Sequence, residues 1–356
     1  MEIAGLDSLR NFRPYRYNHL DMQIKELGEF GVIEQLCAMV VEQRSGPDNG
    51  ADLGFRLEVD TGDDTAAWKT GTGTELITTD TMVEGVHFTR ATTPWRDLGW
   101  KAMASNISDI ASMGGLPMYA VVTLGLPPET EFDDLKELYG GMLEINNEYG
   151  VAIIGGDMVR SPVVFITVGL TGVHSGELML RSTATEGDLL GVTGFMGGSG
   201  GGLKLMLDGG NDAGEAAQYL KECHRRPWPA VSQGQQLARS GVKTAMDVSD
   251  GLADDVCKMM RASGLSARVF VEKLPVHPSL KKMFPRDWVD LALHGGEDYQ
   301  ILFAAASETM DQGLTLLPQP AVVIGEVIMC QPGRVSILDN QGREWASETG
   351  GWDHFG

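Results

Sequence analysis

The sequence is short of positive charge, of paired cysteines and of long apolar runs, and each shortage excludes a class of protein. Its 356 residues carry 28 Lys and Arg against 49 Asp and Glu, a net charge of −21. A nucleic-acid-binding surface needs a basic footprint, so we expect no nucleic-acid partner. The four cysteines lie far apart without C-x-x-C spacing, which argues against a zinc site or disulfide framework and favours a reducing compartment. No stretch approaches the ~20 apolar residues of a membrane span, so we expect a cytoplasmic protein with no membrane partner.

Length and patterning predict a globular α/β protein with two domains. Apolar residues make up 42% of the chain, and its length allows two domains of ordinary size. We read residues 1–26 as a polar extension of uncertain order, 27–175 as an N-terminal domain and 176–356 as a C-terminal α/β domain. The boundary falls in the turn at 174–177.

Start and stop signals place the secondary structure along the chain. The predicted helices cover 29–44, 94–113, 130–149, a segment ending at Leu207, 213–222, 229–239 and 251–263. The predicted strands cover 53–59, 74–79, 118–125, 151–155, 163–170, 187–194, 243–248, 266–271, 299–304, 321–328 and 334–338.

Aspartates recur at the ends of these elements, beside Gly, Ser, Thr or Asn. The segments are TGDDTAAW (61–68), ITTDTMVEGVHF (77–88), NISDIASMGG (106–115), IIGGDMV (153–159) and MDVSDGL (246–252). Carboxylates gathered at element ends repel one another unless a cation lies between them. Hard oxygen ligands favour magnesium, so the pattern predicts a site where Mg²⁺ bridges to an anionic phosphate substrate. Asp63 and Asp64 are adjacent and point opposite ways in an extended segment, so at most one of them is expected to reach a shared metal.

Two other glycine-rich motifs are less specific. The run Gly197–Gly202 lacks the G-x-x-x-x-G-K-[ST] spacing of a phosphate-binding loop, so we interpret it first as a tight strand-to-helix turn with close packing. In LHGGEDYQILF (293–303), Glu297 and Asp298 follow a glycine pair and precede a strand.

The motif MDVSDGL also has a structural interpretation, in which Ser249 or Asp250 caps the helix that follows.

Taken together, these motifs resemble one family. TGDDTA, TTDTMVEGVHF, KAMASNISDIASMGG, IIGGD, DVSDGL, HGGEDYQILF and the terminal WDHF occur in this order in thiamine-monophosphate kinases. These belong to the ATP-binding superfamily of aminoimidazole ribonucleotide synthetase and selenophosphate synthetase. The resemblance runs from about Gly28 to Phe355. It implies that superfamily's two-domain α/β fold, with an N-terminal mixed sheet covered by helices on one face and a C-terminal α/β domain.

The resemblance also implies partners and site residues. It implies a homodimer whose N-terminal halves join their sheets, ATP as co-substrate between the halves, thiamine monophosphate as acceptor and several Mg²⁺ ions. By motif, the metal shell corresponds to Asp64, Thr78, Thr79, Asp80, Asp109, Asp157, Asp247 and Asp250. The ATP contacts correspond to Tyr139, Gly156, Asp157, Arg181 and Ser249. The acceptor contacts correspond to His87, Glu297 and Trp352.

The expected chemistry is direct, in-line transfer of a phosphoryl group to a phosphate oxygen. No Ser-His-Asp or Cys-His arrangement stands out in the sequence, so we expect no covalent nucleophile and no phospho-enzyme. Two alternatives stay open. The chain could be another ATPase of the superfamily, acting on a purine intermediate, selenide or a carbamoyl carrier, or a nucleotide-binding regulator without catalysis.

Overall fold

Two six-stranded mixed sheets organise the chain. The computed structural model describes residues 56–59, 65–70, 73–209 and 214–345, and these residues belong to one compact unit. The elements of the first half are β1 Arg56–Val59, β2 Ala66–Thr70, β3 Gly73–Val83, α1 Trp95–Ser112, β4 Leu116–Leu126, α2 Phe132–Tyr149, β5 Ala152–Arg160 and β6 Phe165–His174.

The first sheet has the order β1-β2-β3-β6-β4-β5. Its neighbouring strands are antiparallel except for β4 and β5, which are parallel and are joined through α2. Side chains alternate between the two faces of each strand, and one set packs with α1 and α2 in a single core. The other face is exposed and carries apolar side chains, among them Ile77, Tyr119 and Val121, each at least 40% exposed.

The long helix α1 packs unusually close to α2. A Cβ added at Gly99 would lie 1.9 Å from the carbonyl oxygen of Leu138, and one added at Gly141 would lie 1.7 Å from that of Arg96. Glycine at these two positions therefore lets the helix backbones touch. The contact fixes α1 against the first half and leaves another of its faces for the second half.

The second half contains the elements that follow β6. Its elements are β7 Leu189–Thr193, α3 Gly198–Leu207, α4 Glu215–Arg225, α5 Val231–Arg239, β8 Thr244–Asp247, α6 Leu252–Ser263, β9 Ser266–Phe270, α7 Pro278–Met283, α8 Trp288–His294, β10 Ile301–Ala305, α9 Ser307–Leu316, β11 Ala321–Ile328 and β12 Val335–Leu338. The strand order is β12-β9-β11-β7-β10-β8. The pair β9 and β12 is parallel, and the other neighbours are antiparallel.

The predicted fold class is confirmed, and within the described residues each predicted helix and strand is present, most of them with ends shifted by a few residues. Strand β2 and helices α7 to α9 were missed. The residues of β2 follow a Gly-Asp-Asp turn and look like part of it, and α7 and α8 are only 6 and 7 residues long. The predicted extension 1–26 and helix 29–44 lie outside the described residues. The domain boundary at 174–177 stays a prediction. Among the described residues, no helix is both long enough and apolar enough to cross a bilayer.

Candidate active site

A polar stripe on α1 is the centre of the site. Lys101, Ser105, Ser108 and Asp109 are spaced by three, four or one residues and share one helix face. Lys101, Ser105 and Ser108 are buried, although such side chains usually face water. The stripe contacts residues of both halves.

On the first half, α1 holds the middle of β3. The Thr78 hydroxyl donates to Asp109 Oδ2 at 2.5 Å, and the backbone N–H of Asp80 donates to Asn106 Oδ1 at 3.0 Å. Thr79 is exposed, between two half-buried neighbours, because successive side chains of a strand point to opposite faces. The structure therefore brings Thr78, Asp80 and Asp109 together and leaves the Thr79 side chain on the other face.

On the second half, α1 contacts the turn between β8 and α6. The Ser108 hydroxyl donates to Asp247 Oδ2 at 2.8 Å. Asp250 is in an ion pair with Lys258, which also donates to Asp255 at 2.8 Å.

Asp255 fixes the shape of this turn. Its Oδ2 accepts from the backbone N–H groups of residues 249 to 251 at 3.0 to 3.2 Å. Neither Asp255 nor Lys258 was predicted as a site residue from the sequence. An acidic residue in the first turn of a helix is the available signal, since it can accept from the backbone N–H groups at the helix start.

The aspartates of the two halves interact electrostatically. Burial raises the pKa of Asp109 well above its ordinary value, and the charges of Asp80 and Asp247 raise it further. Burial also raises the pKa of Asp247 to about 7, with contributions from Asp255 and Asp80, while Ser108 and Arg181 lower it. The pKa of Asp80 is raised by burial and by Asp250, against a hydrogen bond from Ser105. The ionised forms of these carboxyls are therefore unfavourable in the folded protein unless a cation lies beside them.

The donor set fits a hard divalent cation. Carboxylates and a threonine hydroxyl supply only oxygen ligands, as Mg²⁺ prefers. In the part of the chain that the structure describes, no group of three or more His, Cys, Asp and Glu side chains already surrounds one point suited to an ion. Ser108 and Lys258 occupy oxygens of Asp247 and Asp250, and Asp64 lies outside the described residues. The metal shell stays a prediction, supported by the grouping of buried carboxyls whose ionised forms a cation would stabilise.

The remaining predicted ATP contacts lie on both halves. Gly156 is on β5, where an added Cβ would lie 2.0 Å from the carbonyl oxygen of Val122. Asp157 follows it, exposed, and accepts from the backbone N–H of Met158 at 2.8 Å. Tyr139 on α2 is half-buried against the first core.

Arg181, Ser249 and His87 complete the predicted set within the described residues. Arg181 is close enough to Asp247 to lower the pKa of that carboxyl. Ser249 lies in the turn capped by Asp255. His87 follows β3, and its Nδ1 accepts from the backbone N–H of Val83 at 3.0 Å. Trp352 lies outside the described residues, so its assignment stays a prediction.

A second buried network joins α1 to the loop before β10. The Lys101 ammonium donates to Glu297 Oε2 at 2.6 Å and contacts His224 Nε2 at 3.2 Å. Lysine only donates, so Nε2 must accept and the His224 proton lies on Nδ1. Nδ1 is 3.0 Å from the Ser199 hydroxyl. Burial and the charge of Lys101 lower the pKa of His224 to about 2, which keeps the ring neutral.

The neutral His224 has a consequence for stability at acidic pH. An unfolded histidine binds a proton below about pH 6.5, whereas the folded ring does not, so stability falls as pH falls through that value. Between pH 7.5 and 5.5 we expect this residue to lower the free energy of unfolding by about 1 kcal/mol. Urea unfolding at both pH values measures it. The control is His224→Gln, whose side chain can still accept a hydrogen bond from Lys101. Between pH 7.5 and 5.5 the free energy of unfolding of this variant should fall by about 1 kcal/mol less than that of the wild-type protein. Equal pH dependence of the two proteins would contradict a neutral, buried His224.

The loop that carries Glu297 has a strained backbone. Glu297 and Tyr299 have φ of 65° and 49°, in the left-handed region that disfavours residues other than glycine. Their backbone N–H groups donate to the carbonyl oxygens of Ser249 and Val248 at 2.7 and 2.9 Å. These bonds fasten the Glu297 loop to the turn that carries Asp247 and Asp250.

Asp298, between the two strained residues, caps the glycine-rich turn. Its buried carboxylate accepts from the backbone N–H groups of Gly197 at 2.5 Å and Ser199 at 3.0 Å. The start of α3 is therefore occupied by a protein carboxylate. A Cβ at Gly202 would lie 2.0 Å from the carbonyl oxygen of Leu220 on α4. The close packing predicted for this run is confirmed, but residues 198–202 form the start of α3 and only Gly197 precedes the helix.

Asp298→Ala is expected to destabilise the fold by about 2–3 kcal/mol, because it leaves buried N–H donors at the start of α3 without their acceptor. Urea unfolding measures the change. The control is Asp208→Ala at the exposed C-terminal end of α3, where losing an acid should change stability by less than about 0.5 kcal/mol. Equal effects of the two substitutions would contradict the capping role.

The fold and this arrangement of aspartates define a class of ATP-binding protein, and two family models agree. The N-terminal domain of AIR synthase related protein matches residues 62–174, and the C-terminal domain matches residues 185–337. The chain is thus an AIR synthase related protein over most of its length.

Individual relatives narrow the class. The chain is 35% identical to the thiamine-monophosphate kinase of Bacillus subtilis over 307 residues, 84% of this chain and 94% of the relative. It is also 35% identical to that of Escherichia coli K12, over 92% of this chain and 98% of the relative. A solved structure of AaThiL complexed with AMPPCP and TMP has a TM-score of 0.80 and 30% identity, covering 94% of this chain and all of the other. This chain belongs to the thiamine-monophosphate kinase family.

Proposed function

We propose that this protein transfers the γ-phosphoryl group of ATP directly to thiamine monophosphate, giving thiamine diphosphate and ADP. One observation carries the proposal: the aspartates of both halves converge on the polar stripe of α1, in a chain whose relatives are thiamine-monophosphate kinases. A site rich in carboxylates suits a reaction between two phosphate groups, because cations held by the carboxylates would neutralise the negative charge of both phosphates.

Magnesium ions would be held by Asp80, Asp109 and Asp247 together with Thr78, with Asp64, Asp157 and Asp250 as further ligands. The predicted Thr79 contribution is limited to its backbone, since its side chain is on the other face of β3. When bound, the ions supply neutralisation of the charge that develops during transfer.

The protein's own residues bind and orient. Asn106 holds the backbone of Asp80, and Ser108 and Thr78 hold Asp247 and Asp109. These carboxylates are thus fixed before substrates arrive, which is how preorganised electrostatics lower a barrier. The acceptor oxygen is already anionic at neutral pH, so the reaction needs no strong general base and no covalent intermediate.

The binding of the two substrates follows the family resemblance. Tyr139, Gly156, Asp157, Arg181 and Ser249 are proposed for ATP. His87, Glu297 and Trp352 are proposed for thiamine monophosphate.

The active form is proposed to be a cytoplasmic homodimer. The exposed apolar face of the first sheet supports this, because a single copy leaves Ile77, Tyr119 and Val121 in water. A second copy packed on that face would bury them.

A coupled assay for ADP release tests the function. Thiamine monophosphate should stimulate ADP release far more than thiamine or an aminoimidazole precursor, and mass spectrometry should detect thiamine diphosphate in equal amount. Stimulation by the aminoimidazole compound would instead favour another ATPase of the superfamily. ATP binding without ADP release would favour a regulator.

A further inference from the structure

Lys101 is a buried charged residue that the proposed reaction leaves without a role. Its ammonium lies on the same α1 stripe as Ser108 and Asp109 but contacts the loop of the second half. The Lys101 side chain is 1% exposed, and that of His224 is 2% exposed. Glu297 is 26% exposed, so its carboxylate is the member of this trio that a substrate can reach.

The ion pair between Lys101 and Glu297 is expected to contribute little to the stability of the fold. Removing an ammonium and a carboxylate from water costs hydration free energy, and their mutual attraction offsets only part of that cost. The network nevertheless contains a buried lysine, a neutral histidine and a strained glutamate. Strained residues and buried titratable groups of this kind occur preferentially at functional sites.

The geometry leaves one oxygen of Glu297 available. Oε2 contacts Lys101 at 2.6 Å and His224 at 3.4 Å. Among the described residues, Oε1 has no hydrogen-bond partner. Glu297 and the aspartates at 80, 109 and 247 lie within electrostatic range of one group, the buried Tyr299 hydroxyl, whose pKa they all raise.

We propose that Lys101 is a positioning residue, which holds Oε2 of Glu297 so that Oε1 accepts a hydrogen bond from the amino group of the acceptor's aminopyrimidine ring at a fixed place. The inference rests on the proposed function, which gives the acceptor an aminopyrimidine ring at the end opposite its phosphate. A fixed carboxylate accepts from the amino group and repels the phosphate. The acceptor is then oriented with its phosphate toward the aspartates.

The test is a double-mutant cycle with Lys101→Met and Glu297→Gln. Each substitution should raise KM for thiamine monophosphate at least tenfold and leave KM for ATP within twofold. In the Glu297→Gln background, Lys101→Met should add less than twofold, since no charge remains to be positioned. The control is Lys204→Met, which removes a half-exposed ion pair with Asp287 and should leave both KM values within twofold.

Other results overturn the inference. Multiplicative effects of the two substitutions, or equal rises in both KM values, would show that Lys101 does not act through Glu297. A lower melting temperature with an unchanged acceptor KM would show a purely structural role. If Lys101→Met does not fold, the double variant lacks both charges, and its KM compared with that of Glu297→Gln decides the same point.

One measurement is independent of turnover. ¹⁵N NMR of the histidines should show His224 protonated on Nδ1 in the wild-type protein and a mixture of tautomers in Lys101→Met. If the wild type releases no ADP with thiamine monophosphate, the proposed function fails by itself. An unchanged His224 tautomer in Lys101→Met would contradict the network whatever the activity.

Discussion

Asp80→Asn is expected to lower kcat by about 10²–10³-fold, the effect of losing roughly 3–4 kcal/mol of transition-state stabilisation. Asp80 lies in β3 with its backbone held by Asn106, so the amide should keep the shape of the site. Burial and Asp250 raise the pKa of Asp80, which means that its charge is unfavourable in the folded protein without metal. The melting temperature in EDTA should therefore stay the same or rise.

The paired measurement separates a catalytic role from a structural one. kcat is measured across a Mg²⁺ titration, and melting is measured in EDTA and in Mg²⁺. Asp311→Asn, at an exposed position on α9, makes the same charge change away from the cluster and should leave kcat within twofold. Near-normal kcat of Asp80→Asn at limiting Mg²⁺ would exclude a metal role for this carboxylate.

Removal of metal is expected to weaken ATP binding at least 100-fold, about 2.7 kcal/mol. The chain has a net charge of −21, and the buried aspartates already repel one another, so ATP⁴⁻ meets a repulsive field. Calorimetry in EDTA should show negligible heat of ATP binding, restored by millimolar Mg²⁺.

Adenosine is the matched ligand for this experiment, because it keeps the base and ribose and lacks the phosphates. Its affinity should be the same with and without Mg²⁺. Tight metal-free binding of ATP would mean that basic residues hold the triphosphate, and the account of the carboxylate cluster would then be wrong.

Local sequence patterns predicted the secondary-structure elements that surround the site. Pro94 and the pair Gly114–Gly115 mark the ends of α1, and the motif MDVSDGL predicted the strand-to-helix turn after β8. Those signals are read within a few residues of the element that they define. The fold class and the aspartates of the cluster followed from them and from the family resemblance.

Two roles depend on contacts that are distant in sequence. Lys101 looks like a surface lysine until its partner, 196 residues away, is known. Asp298 was noticed beside Glu297, but its role in capping α3 spans about 100 residues. Thr78 faces α1 and Thr79 lies on the other face of the sheet, because successive side chains of a strand alternate between the two faces. The sequence alone could have predicted this alternation.

In the proposed function, one helix sets the positions of residues for both ends of the acceptor, Lys101 acting through Glu297. Lys101 and Asp109 are eight residues apart on α1, and at 1.5 Å per residue this separates them by about 12 Å along the axis. A helix backed by close contact at Gly99 and Gly141 cannot stretch or shorten by a fraction of a turn. The helix would therefore fix the spacing between the two ends of the site before the substrate binds.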